Sequence, residues 1–368
     1  MKRLLLLTPD FPPAVGGIQL LLGRLVDHLA DHFDVSVVAR RIPREAADHD
    51  LGTNTVPVHS TLLTGRPGLI NANALGLVLA MRDSFDIVLS GHIATAPAAA
   101  GVHRLRDTPF VQYIYADEVP HRARLARFAM RRAACTIAIS SHTHELALAA
   151  GCPPGRLHIV PPGVDIPASA PATGRAIRPT IITVARLEDR YKGHDVMLRA
   201  LSLVRARVPD VLWVVVGDGS LRGELEADAA RLDLAGHVKF TGRVSDEERN
   251  RRLAQAHVFA MPSRLPPSGT QGGEGFGIVY LEAGLRGLPV VAGAVGGALD
   301  AVIHDATGLL VDPTSREELA DALCLLLLDR PRARTLGQAG ARYARSFSWE
   351  RMSRDVHAVL AGALERSS

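Results

Sequence analysis

Short apolar runs alternate with longer amphipathic stretches along the chain. RLLLLTP, FDVSVVA, FDIVLSG, PFVQYIY, CTIAIS and LHIVPPG fall in the first half, and TIITVAR, VLWVVVGDG, HVKFTGR, HVFAMPS, PVVAG and GLLVD in the second. Runs that look apolar on both faces and alternate with helical stretches predict strands of parallel sheets covered by helices, here in two sets. Between the sets lies PPGVDIPASAPATGRAIRP, rich in proline, glycine and alanine and without periodicity, which places a linker near 164–178. The expected organisation is an N-terminal domain over 1–168 and a second over 169–346. The closing amphipathic stretch, 347–368, reads as a helix crossing back to the first domain. Ligands of open α/β sheets bind outside the carboxyl ends of the strands, so two doubly wound, Rossmann-like domains facing each other predict a cleft lined by the loops after each strand.

Length and composition agree with this picture. A chain of 368 residues is too long for one ordinary core, and 47% apolar with 22% charged residues is a globular balance. No apolar run approaches the ~20 residues of a membrane helix. LLLL near the start is followed at once by TPDFPP and reads as a first strand rather than a signal peptide, which predicts a cytoplasmic protein. Cys135, Cys152 and Cys324 match no zinc or CxxC spacing and are expected to be buried thiols. A net charge of +4 is weak evidence for an acidic partner, and 4% aromatic residues argue against a nucleic-acid surface.

The densest chemical signal is GGEGFGIVYLEAGLRGLPVVAG, 272–293, in which Glu274 and Glu282 stand eight positions apart around a Gly-Phe-Gly knot. IVYLEAGLR has helical spacing and is closed by Gly287, and LPVVAG reads as a buried strand. Gly275 and Gly277 therefore fall at a helix N-terminus, where unpaired N–H groups and the positive end of the dipole favour an anion. Glu282, about one turn into that helix, can reach hydroxyls beside the anion. The layout suits a phosphate with polyols on either side, as in a sugar nucleotide. TPDFPPAVGGIQ carries Gly16 and Gly17 into a second helix, a phosphate-binding N-terminus or a plain tight turn. After TIITVAR come Arg186 and Lys192, two cations suited to a diphosphate or, alone, ordinary surface charge. Asp48-His49-Asp50 forms a DxD in a polar loop with no strand before it and is read as solvated surface rather than a metal site.

Five stretches of the second half, VARLEDRYKGHDVMLRAL, VVVGDGSLRGELE, VKFTGRVSDEE, FAMPSR and EGFGIVYLEAGLRGLPVVAGAVGG, resemble in that order the retaining GT-B glycosyltransferases of family 4. PPAVGGIQ, GIVYLEA and LPVVAG look especially like the phosphatidylinositol mannoside mannosyltransferases. The resemblance implies a GT-B fold and transfer of a hexose, with retention, from a nucleotide diphosphate sugar to a lipid-linked or natural-product hydroxyl. GDP-mannose is the favoured donor and a UDP-sugar the other. It further implies that Arg186 and Lys192 hold the diphosphate and that backbone around Gly275, Phe276, Gly277 and Ile278 cradles it. Glu282 binds the ribose and Glu274 the hydroxyls of the transferred sugar. Val244 meets the base, Asp246 orients Lys192 or the base, and Gly16 and Gly17 face the donor from the first domain. The leaving diphosphate is then stabilised electrostatically, with no metal and no cofactor beyond the co-substrate.

One feature departs from that family. Many of its members carry a histidine after the fourth expected strand, where this chain reads Tyr115-Ala116-Asp117-Glu118, with His121 beyond. Tyr115 or Asp117 takes roughly that place. Asp117 suits a general base or a ligand of the acceptor, or else Asp117 and Glu118 cap the next helix. His92 in LSGHIATAP is either a cleft residue or a histidine satisfied at a helix start. HRARLARFAMRRAAC, His121 to Cys135, reads as a helix with Arg124, Arg127 and Arg131 on one face, exposed to water or docked on an anionic bilayer. Two other classes fit the frame: a sugar-nucleotide 2-epimerase, which binds the same donor but transfers nothing, and a non-catalytic nucleotide-sugar-binding protein.

Overall fold

The computed structural model describes residues 1–14, 16–41, 56–167, 174–266 and 272–366. It divides into two compact units, Met1–Gly163 with Ser348–Ser368, and Val164–Phe347. The division falls at Gly163, ahead of the expected 168.

The first unit is built on seven parallel strands, β1 (Lys2–Thr8), β2 (Phe33–Ala39), β3 (Val58–Ser60), β4 (Ile87–Ser90), β5 (Phe110–Ile114), β6 (Cys135–Ala138) and β7 (Leu157–Ile159). Their spatial order is β3-β2-β1-β4-β5-β6-β7. Leu4 to Leu7 of β1 are buried on both faces, since β1 pairs with β2 on one side (Leu4 opposite Val35) and β4 on the other (Leu4 opposite Ile87) and helices cover the sheet. Six of these strands are legible as apolar runs. The seventh, β3, is a three-residue edge strand whose Val58 and Ser60 are exposed, so its sequence carries no buried-strand pattern. The order of strands reverses between β1 and β4, the position at which such sheets open for a ligand. In the helix Trp349–Glu365, Trp349, Met352, Val356, Leu360 and Ala363 recur at helical spacing and are buried. A Cβ on Gly163 would lie 2.5 Å from Cε3 of Trp349, so glycine is what admits the indole there.

The second unit has six parallel strands, β8 (Thr180–Val184), β9 (Leu212–Val216), β10 (Val238–Phe240), β11 (Val258–Met261), β12 (Val290–Gly293) and β13 (Gly308–Val311). They lie in the order β10-β9-β8-β11-β12-β13. All six coincide with runs read as strands. Ile181, Trp213, Val215, Val258, Ala260 and Val291 of the sheet pack with Met197, Leu201, Leu319 and Leu323 of the covering helices. Trp213 Nε1 donates to Thr183 Oγ1 (2.9 Å), which donates to the Ala260 carbonyl (2.5 Å), so the buried indole and hydroxyl are both satisfied. Here the order reverses between β8 and β11.

Candidate active site

The loops leaving β8 and β11 are tied to each other before any side chain is considered. Arg264 N–H donates to the Tyr191 carbonyl (2.8 Å), and Gly193, in the left-handed region at φ +78°, sits so close that a Cβ would be 2.3 Å from the Pro262 carbonyl oxygen. Only glycine allows that approach. Its effect is to fix the preceding turn, Arg190–Lys192, over the end of β11.

On that base Lys192 Nζ lies 2.6 Å from Glu274 Oε2, with both side chains almost covered, 13% and 9% exposed. Ser263 Oγ donates to the same oxygen (3.2 Å), while Tyr280 OH donates to the Met261 carbonyl beneath (2.8 Å). Glu274 Oε1 accepts no hydrogen bond among the described residues. Burial alone would lower the Lys192 ammonium, but Glu274 and Tyr191 outweigh it and hold it above the ordinary lysine range. Arg186, in the same loop, is two-thirds exposed and pairs with Asp189 (3.2 Å).

After Glu274 the chain makes the predicted knot. The Glu274 carbonyl accepts from Gly297 N–H (2.8 Å). Phe276 is buried with its ring 5.7 Å from that of Phe347, which anchors the loop, while Gly275 stays half-exposed. Gly277 turns left-handed (φ +85°) into the helix Ile278–Leu285, where no side chain caps the first turn. That helix start is therefore open to an anion. One turn on, Glu282 Oε1 lies 3.4 Å from Arg249 Nη2, and Arg249 also pairs with Asp246 (3.1 Å). Burial pushes the Glu282 carboxyl up, Arg249 opposes it, and Asp165 and Asp246 act with the burial. Asp246 thus engages Arg249 rather than Lys192. Val244 is half-buried in the loop between β10 and the helix Asp246–Gln255, which Ser245 caps by accepting from Glu248 N–H (3.2 Å).

In the first unit Gly17 opens the helix Gly17–Leu29, and Gly16 before it is fully extended. At the ends of β4 and β5 the structure separates residues that sequence reasoning left together. Tyr115 is buried with its hydroxyl enclosed, whereas Asp117 and His121 are exposed, and His121 Nδ1 donates to the Asp117 carbonyl (2.6 Å). Glu118, passed over as a cap, is the buried group of this turn: its Oε2 accepts from Ile93 N–H (3.1 Å) and its Oε1 from Tyr115 N–H (3.0 Å). His92 Nδ1 lies 3.1 Å from Glu118 and accepts from Ala94 N–H (3.0 Å), which makes it a histidine satisfied at a helical turn. Burial raises the Glu118 carboxyl, with His92 and the two backbone donors opposing. The helix expected over 121–135 is interrupted at Arg122 (φ −133°, ψ 47°) and runs only Ala123–Arg132, because β6 starts at Cys135. Arg124, Arg127 and Arg131 are exposed on it, with Ala126, Ala129 and Met130 buried beneath.

Sequence reasoning also missed Ser263 and Arg249, the partners of the two glutamates. Ser263 stood in the quoted FAMPSR, but nothing in a serine after a strand says which carboxylate it will meet. The three cysteines are free and buried. Asp48-His49-Asp50 lies outside the described residues. Among the described residues no helix is long and apolar enough to cross a membrane.

Comparison with known proteins places these units. The family model described as Glycosyltransferase Family 4 matches residues 15–167, and that described as Glycosyl transferases group 1 matches 172–343. A GDP-mannose-dependent alpha-(1-6)-phosphatidylinositol monomannoside mannosyltransferase of Mycobacterium tuberculosis is 34% identical, over 98% of this chain and 99% of its own. A D-inositol 3-phosphate glycosyltransferase of Jonesia denitrificans is 30% identical over 72% of this chain and 65% of its own. Among solved structures, Anabaena HepE in complex with UDP and glucose superposes with a TM-score of 0.81 at 23% identity, covering 98% of this chain and 100% of its own.

Proposed function

We propose that this chain, which belongs to the GT-B glycosyltransferases of family 4, moves mannose from GDP-mannose, with retention, to a hydroxyl of a lipid-linked or soluble acceptor. Membership makes it a glycosyltransferase that uses a nucleotide sugar; donor, stereochemistry and acceptor are the reading offered here. The donor follows the mycobacterial relative, whose name carries GDP-mannose. Both relatives' names also carry an inositol bearing a phosphate, so we take the acceptor to be a phosphorylated polyol, free or as a lipid headgroup.

The observation that carries the reading is the Lys192–Glu274–Ser263 cluster beside an uncapped helix start, at the strand-order reversal of the second unit. In this reading Lys192 and Arg186 hold the diphosphate, and the N–H groups at Gly277 and Ile278 add fixed dipoles. Charge that builds on the departing diphosphate meets donors already in place, which lowers the barrier without reorganisation at the moment of reaction. Glu274 Oε1 then takes sugar hydroxyls and Glu282 the ribose. Asp117 is the exposed group at the end of β5 where the family carries a histidine, and we assign it to the acceptor, as a hydroxyl ligand or as the base. Cations and dipoles replace a metal in this scheme. We place the protein at the inner face of the membrane, attached peripherally.

The test is a thermal-shift series with GDP, UDP, ADP and their sugars, followed by nucleotide release with and without acceptor in excess EDTA. A ligand of the folded state raises the melting temperature by mass action. GDP and GDP-mannose should give the largest shifts, and GDP release should depend on acceptor. Acceptor-independent epimerisation of the donor, or loss of turnover in EDTA restored by magnesium, would overturn the reading.

A further inference from the structure

A cavity of about 280 Å³ opens in the first unit at the carboxyl ends of β2 and β3, walled by Pro12, Pro13 and Leu62 and carrying Arg40 and Arg41 beside Ser60. Its frame is built by specific bonds. Thr61 N–H donates to the Ala39 carbonyl (3.1 Å), Arg41 N–H donates to Thr61 Oγ1 (2.9 Å), and that hydroxyl donates to the Leu63 carbonyl (2.7 Å). The stem of Arg40 passes Gly68, where a Cβ would stand 3.1 Å from Arg40 Cγ and 2.4 Å from the Leu63 carbonyl oxygen, so a larger residue would displace both. Pro12 is seated on Gly23 of the following helix, where a Cβ would be 2.8 Å from Pro12 Cγ.

Among the described residues neither guanidinium has an ion pair. Two adjacent cations at a cavity whose described lining holds no carboxylate favour an anion, and guanidinium forks match the oxygens of a phosphate ester. The position is right for a ligand, since open α/β sheets bind at the carboxyl ends of their strands. Outside the charged part, Leu62 is 81% exposed, with Leu63 and Ile70 exposed as well, so apolar surface adjoins the cationic one.

We infer that this cavity is the subsite for the phosphate ester of the acceptor, with Arg40 and Arg41 as its ligands. The inference rests on the reading of the acceptor as a phosphorylated polyol and assigns it a place. A soluble monoester and the diester of a phospholipid headgroup share this chemistry. The experiment measures binding of myo-inositol, myo-inositol 1-phosphate and glycerophosphoinositol to the full chain by calorimetry, in wild type, R40Q/R41Q and R40K/R41K, with GDP binding measured on each preparation. Wild type should prefer the phosphorylated probes by about tenfold or more, the strength of a charge-assisted pair. R40Q/R41Q should lose that preference, R40K/R41K should retain part of it, and GDP affinity should not change. Stronger binding of the monoester supports a soluble acceptor, and stronger binding of the diester a lipid one. Equal binding of inositol and its phosphates by wild type, or a preference that survives in R40Q/R41Q, overturns the inference while leaving the donor reading intact. Failure of wild type to bind any nucleotide diphosphate instead overturns the donor reading. Should R40Q/R41Q melt early, the single variants R40Q and R41Q are each expected to lose part of the preference, and unchanged preference in both counts against the site.

Discussion

Replacing Glu274 by alanine should separate three roles that the site joins in one residue. Glu274 and Lys192 are each about nine-tenths covered, so water screens their attraction little, and removing one partner leaves the other charged and desolvated. Breaking a buried pair in this way costs about 3–5 kcal/mol. Ser263 also loses its acceptor, which adds about 1 kcal/mol. In a unit of this size 1 kcal/mol lowers the melting temperature by roughly 2–4 °C, so the second unit of Glu274→Ala should melt about 8–24 °C lower. Trp213 reports that unit, being buried in its core, and a Trp349→Phe background removes the signal of the other tryptophan.

The bound nucleotide should then restore what the mutation removed. In the wild type a diphosphate must share Lys192 with Glu274, whereas in the variant it meets an unpaired ammonium. Saturating GDP should therefore raise the melting temperature of Glu274→Ala more than that of wild type, with GDP affinity within a few-fold or better, while mannose transfer falls by at least about 100-fold, the scale of losing a transition-state contact. A drop in melting temperature below about 2 °C, or a smaller GDP shift in the variant than in wild type, would refute the argument, because Lys192 would then not depend on Glu274 for its charge.

Glu282→Ala should weaken GDP itself by about tenfold, the cost of about one charged hydrogen bond to the ribose, and equal affinity in isothermal titration would remove Glu282 from the donor site. His194 is buried against Trp213 and held neutral, its value lowered from 6.5 to about 4 by burial and by Lys192. That gap contributes stability present in full above pH 6.5 and lost as pH falls through 4, about 3 kcal/mol in all. Urea unfolding of His194→Leu between pH 7 and 4 should accordingly be flatter than wild type, and parallel curves would exclude the assignment. Substituting Arg124, Arg127 and Arg131 by glutamine should cut sedimentation with phosphatidylinositol vesicles at low salt by about tenfold or more, at about 1 kcal/mol per arginine near the surface, while activity on a soluble acceptor is kept. Failure of wild type to sediment would end the membrane proposal.

The sheets were legible because parallel strands are buried on both faces and so write themselves as apolar runs. VLWVVVGDG and PVVAG could hardly lie elsewhere than in a core, and β3 escaped because Val-His-Ser at an edge has no such obligation. The glycine knot was legible for a related reason: Gly277 is at φ +85° and opens a helix without a cap, and sequence shows both the glycine and the helix. Pairings across the unit were not. Lys192 and Glu274 are 82 positions apart, and that they meet depends on Gly193 seating the turn on Pro262, a contact no local pattern encodes. Asp246 shows the same limit, since its spacing to Arg249 made that i, i+3 pair available and Arg249 in turn reaches Glu282.

Two buried glutamates, one in each unit, differ in how their oxygens are used. Glu118 spends both oxygens on backbone donors, Oε1 on Tyr115 N–H and Oε2 on Ile93 N–H, and so stitches the end of β4 to the end of β5. Burial raises it, and each of its oxygens is committed to a backbone donor. Glu274 gathers Lys192 and Ser263 on the single oxygen Oε2. Its Oε1 accepts from no described residue. A carboxylate accepts from several hydroxyls at little further cost once its desolvation has been met by a fixed cation. Glu118 thus sets which residue of the β5 turn faces outward, and that residue is Asp117. Where relatives carry a histidine this chain turns an acid outward, while the acid next to it is tied into the fold.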